Sequence, residues 1–255
     1  MIAQFALRLL FGMSLMWSLM PRSQVSAGFF RIQMLIVMGL GVLAALTFGE
    51  LSQSPGADAL LSPSLGRPVC ITLAVLAFAG SAIWTLQLRK AGSLFVFLIL
   101  LLSGLLLGGS TVRGFGSTRD WLFAASEIAT AGTLGGAMTG MLLGHWYLTA
   151  PTMSIQPLSS LNRYFGAAAG FRLFVSAISL AVGYALLQSS THWLWFSLRW
   201  LAGIVGPFVL VLMVSRILRY KNTQSATGVL FVGVILTFIG ELSATLLARE
   251  LGIPF

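Results

Sequence analysis

Charge is the first thing this chain has little of. Charged side chains make up 8% of its 255 residues, against roughly 25% in ordinary soluble domains. That leaves no stretch able to cover a water-soluble domain. Cysteine is scarcer still. Cys70 stands alone, which excludes an internal disulfide, a thiolate metal cage and an iron–sulfur cluster held by this chain by itself. Two histidines and six acids leave little for hydrolytic metal chemistry. The sequence has no phosphate-binding loop, no paired-carboxylate metal motif and no serine–histidine motif. Low-complexity tracts and internal repeats are missing too. Catalysis by this chain unaided has no signature to rest on.

What is abundant is apolar sequence. Hydrophobic residues make up 57%, and runs of about 20, the length that spans a bilayer, recur along the chain. Backbone polar groups in lipid must be bonded internally, so the choice lies between a helix bundle and a closed barrel. The runs are too long for barrel strands and do not alternate apolar with polar. An all-α polytopic bundle of about eight helices is therefore expected, a single integral membrane domain over 1–255. The segments fall at about 2–20, 29–49, 70–88, 91–111, 122–149, 167–188, 193–216 and 226–248. Gln4 and Arg8 interrupt the first, which leaves an interfacial helix open as an alternative there. A cleaved signal peptide fits poorly, because no basic residue precedes the apolar stretch. The longest connection, about 50–69, is rich in Ser, Pro and Gly.

Basic residues orient the bundle. Arg22, Arg31, Arg89, Lys90, Arg163, Arg172, Arg216, Arg219 and Lys221 accompany the connections after odd-numbered helices. Arg67, Arg113, Arg119 and Arg249 accompany the others. The positive-inside rule makes the first set cytoplasmic and places both termini outside, as in a bacterial inner membrane. The net charge of +9 then reads as topology and attraction to anionic lipid, not as nucleic-acid binding. The acids Glu50, Asp58, Asp120, Glu127, Glu241 and Glu250 all fall on or towards the outer side. Glu127 and Glu241 differ from the rest because they interrupt apolar runs.

The fifth segment contains "GTLGGAMTGMLLGHWYLTAP", with Gly132, Gly136, Gly140 and Gly144 spaced four apart. Each glycine costs a soluble helix roughly 1 kcal/mol relative to alanine. In a membrane such a ridge lets a neighbouring helix approach backbone to backbone. At 100° per residue Glu127 and His145 return to one azimuth opposite the glycines, with Met138 and Met141 near that line. His145 has three readings: a haem ligand, a quinone or proton-handling group, and an interfacial residue beside Trp146 and Tyr147. His192 is the only other histidine, and the two differ in depth by roughly 30 Å at 1.5 Å per residue. That argues against a bis-histidine haem and leaves a His/Met site open.

Glu127, Arg199 and Glu241 lie at similar depths in the outer half. Exposure to lipid would cost around 3 kcal/mol each even on the gentlest scale, so they are expected to face inward, with Arg199 as counter-charge. Two readings follow: an ion-pair network fixing helix register, and a site handling protons, quinone or a headgroup.

The stretches "RWLAGIVGPFVLVLMV" and "TQSATGVLFVGVILTFIGEL" resemble the last third of the eight-helix quinol-interacting membrane anchors of the dimethyl-sulfoxide-reductase and polysulfide-reductase type. The likeness lies in an Arg-bearing helix with a Gly-Pro break and a final helix carrying Gly-Glu. It implies a haem-free anchor, in contact with quinol and with partner subunits in an electron-transfer complex, and of the matched positions it touches only Glu241. The expected function is a quinone-interacting or scaffold subunit. A small transporter or channel is the alternative, disfavoured because Pro207 breaks one helix with no matched partner in the first half.

Overall fold

The computed structural model describes residues 1–51, 62–111, 118–150 and 152–255, and among them there is no strand. The helices are α1 (Ile2–Leu19), α2 (Ala27–Thr47), α3 (Pro63–Thr85), α4 (Arg89–Thr111) and α5 (Thr118–Thr149). They continue with α6 (Gln156–Gly183), α7 (Ser190–Trp200), α8 (Gly206–Arg219) and α9 (Thr223–Leu251). A π turn, Leu201–Val205, joins α7 to α8, so Ser190–Arg219 crosses as one rod. The described residues thus form an all-α bundle of eight helices. Seven are long and apolar enough to cross a membrane.

Helix packing divides the bundle in two. The first four helices pack on one another through α1 with α2 and α4, and α3 with α2 and α4. The second half packs α5 on α6 and α9, with α7 and α8 completing it against α9 and α6. The seam is α1 on α5. Its closest point is Gly12 of α1 against Ala131 and Gly135 of α5, where the two backbones touch and no Cβ has room. The start of α1 and the end of α9 share one end of the bundle, with Arg8 on Thr245.

The helix that falls short of the spanning composition is α5, and it is the one enclosed by α1, α4, α6 and α9. From Thr130 to Ala137 every residue is buried. Lipid does not reach that stretch, so nothing requires it to be apolar. Glycine, serine and threonine there trade hydrophobicity for close approach.

The boundaries read from hydropathy are shifted where polar residues extend a helix beyond its apolar band. The third helix begins at Pro63, with Pro68 inside it, not near residue 70. The sixth begins at Gln156, with Pro at its first turn, not near 167. The first is a buried helix with Ala6, Leu7, Leu10, Met13 and Trp17 fully enclosed, so Gln4 and Arg8 do not break it. Arg172 also moves. Counted with the cytoplasmic basic residues in the sequence, it is buried within α6. Among the described residues, eight basic residues still stand at one end against Arg67, Arg119 and Arg249 at the other. Asp58 and Arg113 lie outside the described residues.

The basic end is tied by Gln24 on Gln156 at 3.0 Å and by Arg89 Nη1 donating to the Ser23 carbonyl at 3.0 Å. Trp146 Nε1 donates to Ser26 Oγ at 2.7 Å, and Phe30 stacks on Trp84 at 4.4 Å.

Candidate functional site

Five charged side chains from five helices converge inside the bundle. Glu127 lies about 14 Å from the start of α5, and Glu241 about 15 Å from the end of α9. Arg199 lies about 14 Å into α7, and Arg172 about 17 Å from the end of α6. Arg8, about 9 Å into α1, completes the group. All are buried, Arg199 fully and Glu241 to 2% exposure.

Two ion-paired units make up the cluster. Around Glu127, Arg8 Nε donates to Oε2 at 2.7 Å, Arg8 Nη2 donates to Oε1, and Gln4 Nε2 donates to Oε1 at 2.9 Å. Around Glu241, Oε1 accepts from Arg172 Nε at 3.2 Å and from Arg199 Nη1 at 2.8 Å. Its Oε2 accepts from Arg172 Nη2 at 3.3 Å and from Thr130 Oγ1 at 3.0 Å. Thr245 links the two units. Its hydroxyl accepts from Arg8 Nη1 at 3.1 Å and donates to the Glu241 carbonyl at 2.8 Å. Further guanidinium protons go to Ser126, at 2.6 Å from Arg172 Nη1, to Ser176, at 3.3 Å from Arg199 Nη2, and to the Phe255 main-chain oxygen, at 3.0 Å from Arg172 Nη2. Arg199 Nε is buried with no partner.

Local backbone geometry sets this up. Pro207 has no N–H, so the Gly203 carbonyl cannot receive the usual helical bond, and the chain widens into the π turn two residues after Arg199. The Gly206 N–H reaches back to the Leu201 carbonyl instead. At that turn Gly203 meets Gly240 backbone to backbone. A methyl on Gly203 would lie 2.8 Å from Gly240 Cα and 2.6 Å from Arg199 Nη1. Two glycines therefore bring α9 near enough for Glu241 to meet Arg199.

The sequence-derived candidates separate on this map. Glu127, Arg199 and Glu241 do face inward, but Arg199 serves only Glu241. The counter-charge of Glu127 is Arg8. His145 does not join them. It is exposed near the opposite end of α5, about 27 Å along the helix from Glu127, so their common azimuth brings no contact. His192 takes part in a capping box with Ser189 and bonds Glu250 at 2.8 Å.

The glycine ridge packs as expected but against two neighbours instead of one. Gly132 and Gly136 face Ala168 and Phe165 of α6, whereas Gly140 and Gly144 face Leu230 and Thr227 of α9. Sequence reasoning passed over Arg8 and Arg172, along with Gln4, Ser126, Thr130 and Ser176. Arg8 carried the same signal as Glu127, a charge inside an apolar run. Arg172 was masked by a helix start drawn eleven residues late, which put it near a membrane boundary.

Chemically, every Glu241 lone pair is engaged by a donor. No family model matches the chain, and no curated protein or solved structure matches it.

Proposed function

We propose that the chain is a scaffold subunit of a larger membrane complex in the electron-transfer class, set in a bacterial inner membrane beside partner subunits. The observation carrying the scaffold reading is the cluster itself. Charge-assisted hydrogen bonds tie α1, α5, α6, α7 and α9 at one level. Breaking one member of a buried pair costs about 3–5 kcal/mol, which makes this level a fixed frame. A transporter or channel has to open such a level to one side, and these links oppose that. The quinone part of the reading rests on the resemblance of the last third of the chain. A quinol hydroxyl reaching Glu241 would have to displace Arg172, Arg199 or Thr130, which favours a supporting role for Glu241 over direct proton acceptance.

Purification in mild detergent, with protein and quinone content measured, tests the reading. Stoichiometric partner subunits with redox centres are expected, and a chain purifying alone while moving a solute across vesicles would refute it. In the same complex, Glu241→Gln is expected to impair assembly. An assembled complex that has lost only quinol-dependent electron transfer would reassign Glu241 to proton handling.

A further inference from the structure

The basic end of the bundle holds no acid among the described residues. Arg163 of α6 and Arg216 and Arg219 of α8 are exposed there, and none of the three has an ion pair among the described residues. The two helices are pinned side by side at this level. Asn162 Nδ2 donates to the Val211 carbonyl at 3.0 Å and to Ser215 Oγ at 2.8 Å. A methyl on Gly166 would lie 3.0 Å from Val211 Cγ1. Asn162 and Gly166 therefore point at α8, and Val211 and Ser215 at α6. At 100° per residue, Arg163 and Gly170 stand about 60–80° round α6 from that contact, and Leu212 and Arg219 about 60–80° round α8. The helices run antiparallel, so equal turns in one sense open on the same side of the pair. Phe165 and Val214, on the other side, are buried in the core, and Leu212 on the open side is 65% exposed. The open side faces lipid. A methyl on Gly170 would meet nothing within 4 Å, so a groove runs along the pair below the arginines. Arg163 Nη2 donates to Ser160 Oγ at 3.1 Å, which turns its guanidinium back towards the basic end, where α8 presents Arg216 and Arg219.

We infer that this groove binds one anionic phospholipid of the leaflet at the basic end. Its phosphate lies between Arg163 and Arg219, with Arg216 alongside, and one acyl chain runs over Gly166 and Gly170. Guanidinium groups suit phosphate oxygens by charge and by their paired N–H donors, and basic pockets between membrane helices at this level take anionic headgroups. A lipid is favoured over an acidic protein because Arg163 lies about 10 Å into α6, and the groove continues from it into the apolar span. The site stands whether or not the scaffold reading does.

The test uses the purified full chain in zwitterionic micelles, with bound lipid counted by native mass spectrometry. Dioleoylphosphatidylglycerol is expected to bind at one saturable site, with dioleoylphosphatidylcholine at least tenfold weaker. Arg163→Gln with Arg219→Gln should weaken that binding at least tenfold, and Gly170→Leu should weaken it with every arginine in place. Arg31→Gln with Lys90→Gln removes the same charge elsewhere on this end and should leave it unchanged. An equal loss in the two double variants would overturn the site in favour of general attraction to the basic end. Full binding by Gly170→Leu would overturn the groove. Glycerol phosphate competing as well as the lipid at equal concentration would make this a site for a free phosphate and overturn the lipid assignment. Unfolding midpoints confirm that the variants compared are folded, and if Gly170→Leu is not, the two charge variants still decide.

Discussion

At the scale of single residues, Arg8 and Glu127 form the more self-contained of the two ion-paired units. Their bidentate pairing spans α1 and α5, so removing either partner leaves the other charge buried. Glu127→Gln alone is expected to cost about 3–5 kcal/mol. Arg8→Gln should cost a similar amount. The double replacement is expected to be clearly milder than the sum, because two neutral amides can bond each other across the same gap. Unfolding of the single and double variants in micelles measures the coupling. Strict additivity would show that the pair does not act as a unit.

That pair also shows what the sequence could disclose at this scale. An acid inside an apolar run announces itself, and both Glu127 and Glu241 were legible for that reason. Their partners were legible only in part. A long arginine side chain near a helix end is ordinarily read as reaching for the interface, and only the true start of α6 shows that Arg172 is too deep for that. Hydroxyl partners such as Thr130 and Ser176 carry no signal, since serine and threonine are common in membrane helices for packing alone.

At the scale of elements, the glycine contacts are graded, and the grading is testable. Gly228 meets nothing within 4 Å, Gly140 meets a flexible leucine tip, and Gly240 meets backbone. Alanine at Gly228 is expected to be neutral or slightly stabilising, and at Gly140 nearly so. Alanine at Gly240 or Gly135 must move a helix, costing roughly 1–3 kcal/mol or more. Leucine at Gly136, where a methyl already lies 2.8 Å from Phe165 Cδ2, should separate α5 from α6 and abolish assembly. Unfolding midpoints and size-exclusion profiles of the set give the order, and a destabilised Gly228→Ala with a tolerated Gly240→Ala would contradict the packing. The ridge itself was legible from its four-residue spacing. Its division between α6 and α9 was not, because spacing fixes a face but not which neighbours meet it. The pairings Gly12–Gly135 and Gly203–Gly240 join residues distant in the chain, and no local pattern links them.

For the whole molecule, charge asymmetry between the two ends predicts sidedness. Single cysteines at Gln224 and Gln188, both exposed and at opposite ends, can be labelled in intact cells with an impermeant maleimide after Cys70, itself buried, is replaced by Ser. Labelling at Gln188 and protection at Gln224 is the expected result. The reverse would invert the bundle and place the charge cluster in the inner half.

The composition of α5 carries a consequence for how the protein is made. A helix this rich in glycine and hydroxyl residues, bearing Asp120 and Glu127, gains little by leaving the translocon for lipid on its own. Its partners α1 and α4 are synthesised before it, α6 and α9 after it. Arg8 is thus already waiting in the membrane when Glu127 emerges. The earlier helices are expected to retain α5 until α6 covers its other side. Nascent chains halted after α5 should integrate it when α1 carries Arg8 and lose it to the aqueous side with Arg8→Leu, as glycosylation tags on either flank would report. Biogenesis then proceeds by capture of a helix that lipid alone would not keep.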